Sequence, residues 1–161
     1  FYSKQLNVLL KHMASSGALL SKESPAIGND TDSTALSLHD KIRRKILVVE
    51  DSPTIRKVIS ITLSQKGYET IEAGDGLEAL SRLDESKPDL ILLDIILPKM
   101  DGYQILSIIR ENPEFKTIPY IMLTSKDGII NKVKGKVAGS SAYLTKPFDP
   151  TQLVETIERH I

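Results

Sequence analysis

The sequence predicts an α/β fold, a five-stranded parallel sheet doubly wound by helices on both faces. Three observations carry that prediction. Short apolar runs rich in β-branched residues recur from Lys45 onward, amphipathic helical patterns alternate with them, and most connections between the two are short. Strands covered on both faces read as continuous apolar runs, and parallel neighbours need a crossover, usually a helix.

The elements follow in order. KILVV (45–49) is a short strand, apolar from Ile46 onward. Ser52 is a good N-cap, with Pro53 at the first helical position. Ile55, Val58, Ile59, Thr62 and Leu63 then form a helical stripe that Gly67 stops. YETIEA (68–73) alternates as a strand. Residues 75–86 read as a helix with Leu77, Leu80 and Leu83 facing inward. LILL (90–93) is a buried strand, and 103–110 a helix that ends ahead of Pro113. PYIMLT (119–124) is another apolar strand, 129–138 a weaker helix interrupted by Gly135, SAYLT (141–145) a strand, and 150–160 the last helix.

Upstream of Lys45 the pattern is different. Leu6, Leu9, Leu10 and Met13 fall at helical spacing, so residues 1–20 read as an amphipathic helical segment. Residues 21–44 are rich in Ser, Thr, Asp and Gly and read as a flexible linker. Its basic end, Lys41, Arg43 and Arg44, continues into Lys45 as a solvated boundary. The chain opens on Phe1 and so reads as a fragment or processed product, in which 1–20 could be the tail of a preceding domain.

Composition narrows the function classes. Formal net charge is zero, so nothing draws the whole chain to nucleic acid or to an anionic membrane. There is no cysteine, which excludes disulfides, thiolate metal sites and thiol catalysis. No apolar run approaches the roughly 18–20 residues that span a bilayer. A cytoplasmic location is expected.

The chemistry lies at the strand ends. In open parallel sheets the functional crevice sits at the carboxyl ends, near the switch in strand order. Here the first strand ends in Glu50-Asp51, the third in Asp94 and the fourth in Thr124, and Lys146 follows the fifth. Three converging carboxylates repel by about 1 kcal/mol or more per close pair. A hard divalent cation removes that repulsion, and Mg²⁺ takes one or two carboxylates while keeping waters and room for phosphate oxygens. With an ammonium and a hydroxyl beside a central Asp, the set suits phosphoryl transfer to a carboxylate. The cation and Lys146 also offset the cost of burying Asp94 in LILLDIILP.

These residues carry a resemblance. The acidic pair in VVEDS, Asp94 in DIILPKMDG, the Thr after PYIML, and YLTKPF with Lys146-Pro147 resemble, in order and spacing, the receiver domain of two-component response regulators, chemotaxis regulators in particular. The likeness spans residues 45–161. It implies a flavodoxin-like (βα)5 sheet of order 2-1-3-4-5, with Asp94 as phosphoacceptor and Mg²⁺ held by Glu50 (through water), Asp51, Asp94 and the Ile96 backbone carbonyl. It also implies that Thr124 and Lys146 bind the phosphoryl group, that Thr124 and Tyr143 form the switch, and that the Lys146–Pro147 bond is cis. The implied partners are a histidine kinase or phosphotransfer protein and a downstream protein, with a phosphorylation-linked homodimer left open and neither nucleic acid nor membrane expected. The output surface would be the fourth predicted helix, the fifth strand and the last helix. SKDGIINKVKGKVAGSSAYLTKPF further resembles, more weakly, regulators of cyanobacterial type-IV-pilus motility and phototaxis.

Plainer readings stand beside these. Asp101 reads as the N-cap of the following helix and Gly102 as a turn glycine. Tyr143 could be structural, and Lys132, Lys134 and Lys136 a solvated face. His12, His39 and His160 are placed for no chemistry. An apolar Ile96 two residues after Asp94, and Lys126 two after Thr124, predict slow loss of a phosphoryl group. Two alternatives remain open: an interaction module that works without phosphorylation, and an aspartyl-phosphate phosphatase. The second usually needs an acid where Ile96 stands. The domain itself is expected to be a switch, not an enzyme, assisting its own phosphorylation and dephosphorylation.

Overall fold

A computed structural model describes residues 43–125 and 142–161. Five strands, β1 (Lys45–Val49), β2 (Glu69–Ala73), β3 (Leu90–Asp94), β4 (Tyr120–Ser125) and β5 (Ala142–Lys146), pair in parallel in the order β2-β1-β3-β4-β5. Four helices accompany them among the described residues: α1 (Pro53–Gln65), α2 (Gly76–Ser86), α3 (Gly102–Glu111) and α4 (Pro150–Glu158). Strand order and helix alternation match the expected doubly wound, flavodoxin-like arrangement. The segment 1–20, nearly all of the 21–44 linker, the predicted helix at 129–138 and Lys126 lie outside the described residues.

Each helix boundary has a local cause. The Ser52 hydroxyl accepts from the Ile55 amide at 3.4 Å, and Pro53 opens α1. Gly67 closes it at φ 85°, with Tyr68 N–H donating to the Leu63 carbonyl and Gly67 N–H to that of Ser64. That pair of bonds is the Schellman arrangement, which favours glycine because a Cβ disfavours positive φ. Asp75 caps α2, and Lys87, in the left-handed region at φ 46° ahead of Pro88, ends it. Asp101 with Gln104 and Asp149 with Gln152 form reciprocal capping boxes on α3 and α4. The N-cap reading of Asp101 holds.

Side-chain alternation along the strands divides the core in two. Leu47, Val49, Ile91, Leu93 and Met122 pack against Ala79 and Leu83 of α2 and Ile105, Leu106 and Ile109 of α3. Ile46, Val48, Leu90, Leu92, Ile121 and Leu123 pack against Ile59 and Leu63 of α1 and Leu153 and Ile157 of α4. Each such side chain, fully buried, contributes about 1.5–3 kcal/mol.

One inward assignment is corrected. Leu77 is 61% exposed, whereas Ala79 and Leu83 are buried and Leu80 packs at the edge of the core. In the first turn of α2 it is Gly76, not Leu77, that is buried, set against Ile105 and Met100, so helical spacing alone puts Leu77 on the wrong side. Gly102 is also more than a turn residue. It is the first residue of α3, and a Cβ there would stand 2.3 Å from the Asp94 carbonyl oxygen. What demands glycine is the close approach of α3 to the end of β3.

Candidate functional site

Parallel register brings the strand ends level. Val49 pairs with Leu93, Asp94 with Leu123, Thr124 with Thr145 and Ser125 with Lys146. Glu50 follows β1 directly, so all five site positions share one edge of the sheet. Glu50, Asp94 and Lys146 continue the alternation of Val48, Leu92 and Leu144, whose side chains face α1 and α4. Thr124 and Tyr143 continue that of Met122, on the opposite face.

At the centre, Lys146 Nζ lies 2.6 Å from Asp94 Oδ2 and 2.9 Å from Glu50 Oε2. Asp94 Oδ1 accepts from the Ile96 amide at 3.1 Å, and Glu50 Oε1 from the Ser52 amide at 3.2 Å. Glu50, Asp94 and Thr124 are buried, while Asp51 is exposed. Carboxylate oxygens of Glu50, Asp51 and Asp94 all lie within 4.8 Å of one another. Three hard oxygen donors, one of them open to water, form a set that could hold a divalent cation such as Mg²⁺.

Electrostatics follow from that crowding. Burial, with the charge of Asp94 beside it, pushes the Glu50 carboxyl up to about 7 against the opposing hydrogen bond from Lys146. Burial also works against charge on Lys146. Its bonds to Asp94 and Glu50 outweigh that, and the ammonium is held above its usual range. Charge-assisted bonds of this length are the strong ones.

The remaining expected residues sit around this centre. The Thr124 hydroxyl donates to the Ser125 carbonyl at 3.2 Å, turned to its own backbone. Tyr143 packs against the core cluster under α2 and α3, its hydroxyl buried near Tyr103. Burial and the neighbouring Tyr143 phenol push Tyr103 up to about 12. Ile96 offers its amide to Asp94 while its side chain is 64% exposed. Lys146–Pro147 is cis, as the resemblance implied.

Two residues escaped the sequence reading. Arg56 Nη1 donates to the Glu50 carbonyl at 2.5 Å, and its Nε lies 3.3 Å from Glu72 Oε2. A basic residue one turn after the Ser52 cap was the signal for Arg56. Nothing local marked Glu72, whose partner comes from another element.

A fold of this strand order with an acid, hydroxyl and lysine set at the carboxyl ends defines a class of signalling domain. Residues 46–158 match the response regulator receiver domain family, and the chain belongs to it, within two-component signal transduction. It is 43% identical over 117 residues to Protein PilG of Pseudomonas aeruginosa, a match covering 73% of this chain and 87% of PilG. Over 122 residues it is 36% identical to the DNA-binding response regulator MtrA of Mycolicibacterium smegmatis. The chain spans about half of that longer relative, 52% of its length. Among solved structures, the chemotaxis response regulator CheY4 of Vibrio cholerae superposes with a TM-score of 0.70 at 36% identity, covering 74% of this chain and 99% of that one. These relatives bear out the chemotaxis-regulator likeness. No helix among the described residues is long and apolar enough to cross a membrane.

Proposed function

We propose that this domain is a phosphorylation switch whose acceptor is Asp94. The observation that carries the reading is the bridge of Lys146 between Glu50 and Asp94, at 2.9 and 2.6 Å, with Asp51 beside it. A carboxylate oxygen of Asp94 bonds to phosphorus as the bond to the imidazole of a phosphohistidine breaks, on a histidine kinase or phosphotransfer protein. Glu50, Asp51, Asp94 and the Ile96 carbonyl are the groups that would hold Mg²⁺. When bound, that ion neutralises charge on the transferring group and orients it.

Lys146 is a point charge that can leave its carboxylate partners for the incoming phosphoryl oxygens. Thr124 gives up only a bond to its own backbone when it turns to donate to them. Such a turn changes the space beside Tyr143, on the same face of the sheet one strand away. β5 and α4, with the predicted helix at 129–138, then present the changed surface to a downstream protein. An exposed, apolar Ile96 supplies no acid or base for hydrolysis, which favours a switch over a phosphatase.

The test is phosphorylation by acetyl phosphate with Mg²⁺, read by intact mass. The expected result is one added phosphoryl group in wild type, none in Asp94→Asn, and none in wild type with excess chelator. A folded wild type that gains no mass and binds no Mg²⁺ would instead support an interaction module independent of phosphorylation. The phosphorylated form is expected to persist for minutes or longer once donor is removed, and loss within seconds contradicts the part assigned to Ile96.

A further inference from the structure

Asp51 is the exposed member of the acidic cluster, and among the described residues no side chain steadies its carboxylate. Where Asp51 Cβ stands is set by its backbone, and its own two side-chain torsions do the rest. Two peptide planes flank its Cα, and both are pinned. The 51–52 plane is held by Ser52 N–H donating to Glu50 Oε1 at 3.2 Å. The 50–51 plane is held by Arg56 Nη1 donating to the Glu50 carbonyl at 2.5 Å. With both planes fixed, the direction of the Asp51 Cα–Cβ bond is fixed too.

Arg56 is itself held. Its Nε lies 3.3 Å from Glu72 Oε2 on the edge strand β2, and its side chain is only 20% exposed. Gly74 lies under the guanidinium, where an added Cβ would stand 3.4 Å from Nη1. Guanidinium is a rigid fork, so one acceptor on Nε and another on Nη1 determine its plane. Lysine, with a single nitrogen, cannot serve both acceptors in that geometry.

We propose that Arg56 and Glu72 form a positioning pair that sets the aim of Asp51, and through it the affinity of the site for a divalent cation. This rests on the Mg²⁺ reading of the acidic cluster. The sign of the effect distinguishes positioning from simple charge. Removing a positive group near a cation site tightens cation binding by Coulomb's law. Removing a residue that aims a ligand weakens it, by about 10–100-fold where metal-site supports have been cut.

The experiment measures Mg²⁺ dissociation constants by isothermal calorimetry, and separately the melting temperature in chelator. The proteins are wild type, Arg56→Met, Arg56→Lys, Glu72→Gln, the Met/Gln double variant and Asp51→Asn. Arg56→Met is expected to weaken Mg²⁺ binding about tenfold and Glu72→Gln several-fold. Arg56→Lys should recover only part of the loss. The double variant should bind no worse than Arg56→Met, since the two residues act through one contact.

Unchanged or tighter binding in a folded Arg56→Met overturns the proposal, even if its melting temperature falls. If Arg56→Met does not fold, Arg56→Lys, which keeps the charge, decides, and wild-type affinity in it overturns the proposal. If wild type and Asp51→Asn bind Mg²⁺ alike, the reading of the acidic cluster fails and the proposal falls with it. Tight wild-type binding lost only in Asp51→Asn leaves that reading standing and removes the positioning pair.

Discussion

Gly102→Ala is expected to be less stable than wild type by at least about 3 kcal/mol, lowering the melting temperature by more than about 10 °C. A Cβ at this position would stand 2.3 Å from the Asp94 carbonyl oxygen and 3.0 Å from the Ile95 Cα. Those neighbours are backbone in β3 and its exit, so no rotamer change relieves the contact. α3 would have to move away, giving up the Gly102 N–H bond to the Ile95 carbonyl at 2.9 Å. The burial of Ile105, Leu106 and Ile109 would suffer with it. Gly67→Ala is the control. It has φ 85° and nothing within 4 Å of an added Cβ, so it costs only the left-handed strain, about 1 kcal/mol. Chemical denaturation of both variants checks the pair. Equal losses would mean that backbone conformation, not crowding at Asp94, makes Gly102 necessary.

The second large effect is a pH dependence centred on Glu50. Its folded carboxyl is raised to about 7 from an ordinary value of 4.5. The folded state therefore holds this proton more tightly than the unfolded chain. That contribution to stability is fully present below about 4.5 and is lost as pH rises through about 7. Between those limits the metal-free protein should lose up to about 3 kcal/mol from this group. Glu50 is 1% exposed, so solvent screens little of it.

Cation binding should run the other way. A proton on Glu50 competes with the ion, so Mg²⁺ affinity should rise about tenfold between pH 6 and 8. Proton release on binding should be largest near and below pH 7. Melting curves in chelator, and calorimetry in buffers of different ionisation enthalpy, measure the two halves. Glu50→Gln should flatten both. A wild type whose metal-free stability climbs from pH 5 to 8 would show that Glu50 is not the group that governs this range.

Legibility in the sequence depended on the range of the cause. Caps and stops were readable because each is decided within a few residues: Ser52 and Pro53 for α1, Asp101 with Gln104 for α3, Gly67 as the left-handed stop. The central strands were readable because both their faces are buried, leaving ILVV (46–49) and LILL (90–93) unbroken by polar residues. The site was readable because parallel strands place all their carboxyl ends on one edge. Glu50, Asp94, Thr124 and Lys146 had to share that edge whatever lay between them in the chain.

Other features depended on partners that local pattern cannot name. Leu77 obeys helical spacing yet is 61% exposed, while its neighbour Gly76 is the residue of that turn that packs against Ile105. Gly102 passes for a turn glycine until α3 is seen lying against the backbone of β3. Arg56 acts on a carbonyl, a group every residue carries, so its place one turn after the Ser52 cap marked it without naming its partner. The shift of Glu50 required the depth of its burial and the nearness of Asp94. By itself the sequence determined the elements, their parallel sheet and the set of residues gathered at its edge, since periodicity and capping are short-range. Tertiary structure alone decided the pairing of Lys146 with both acids, the hold of Arg56 on Glu50 and the closeness of α3 to Asp94, since each is a distance between elements far apart in the chain.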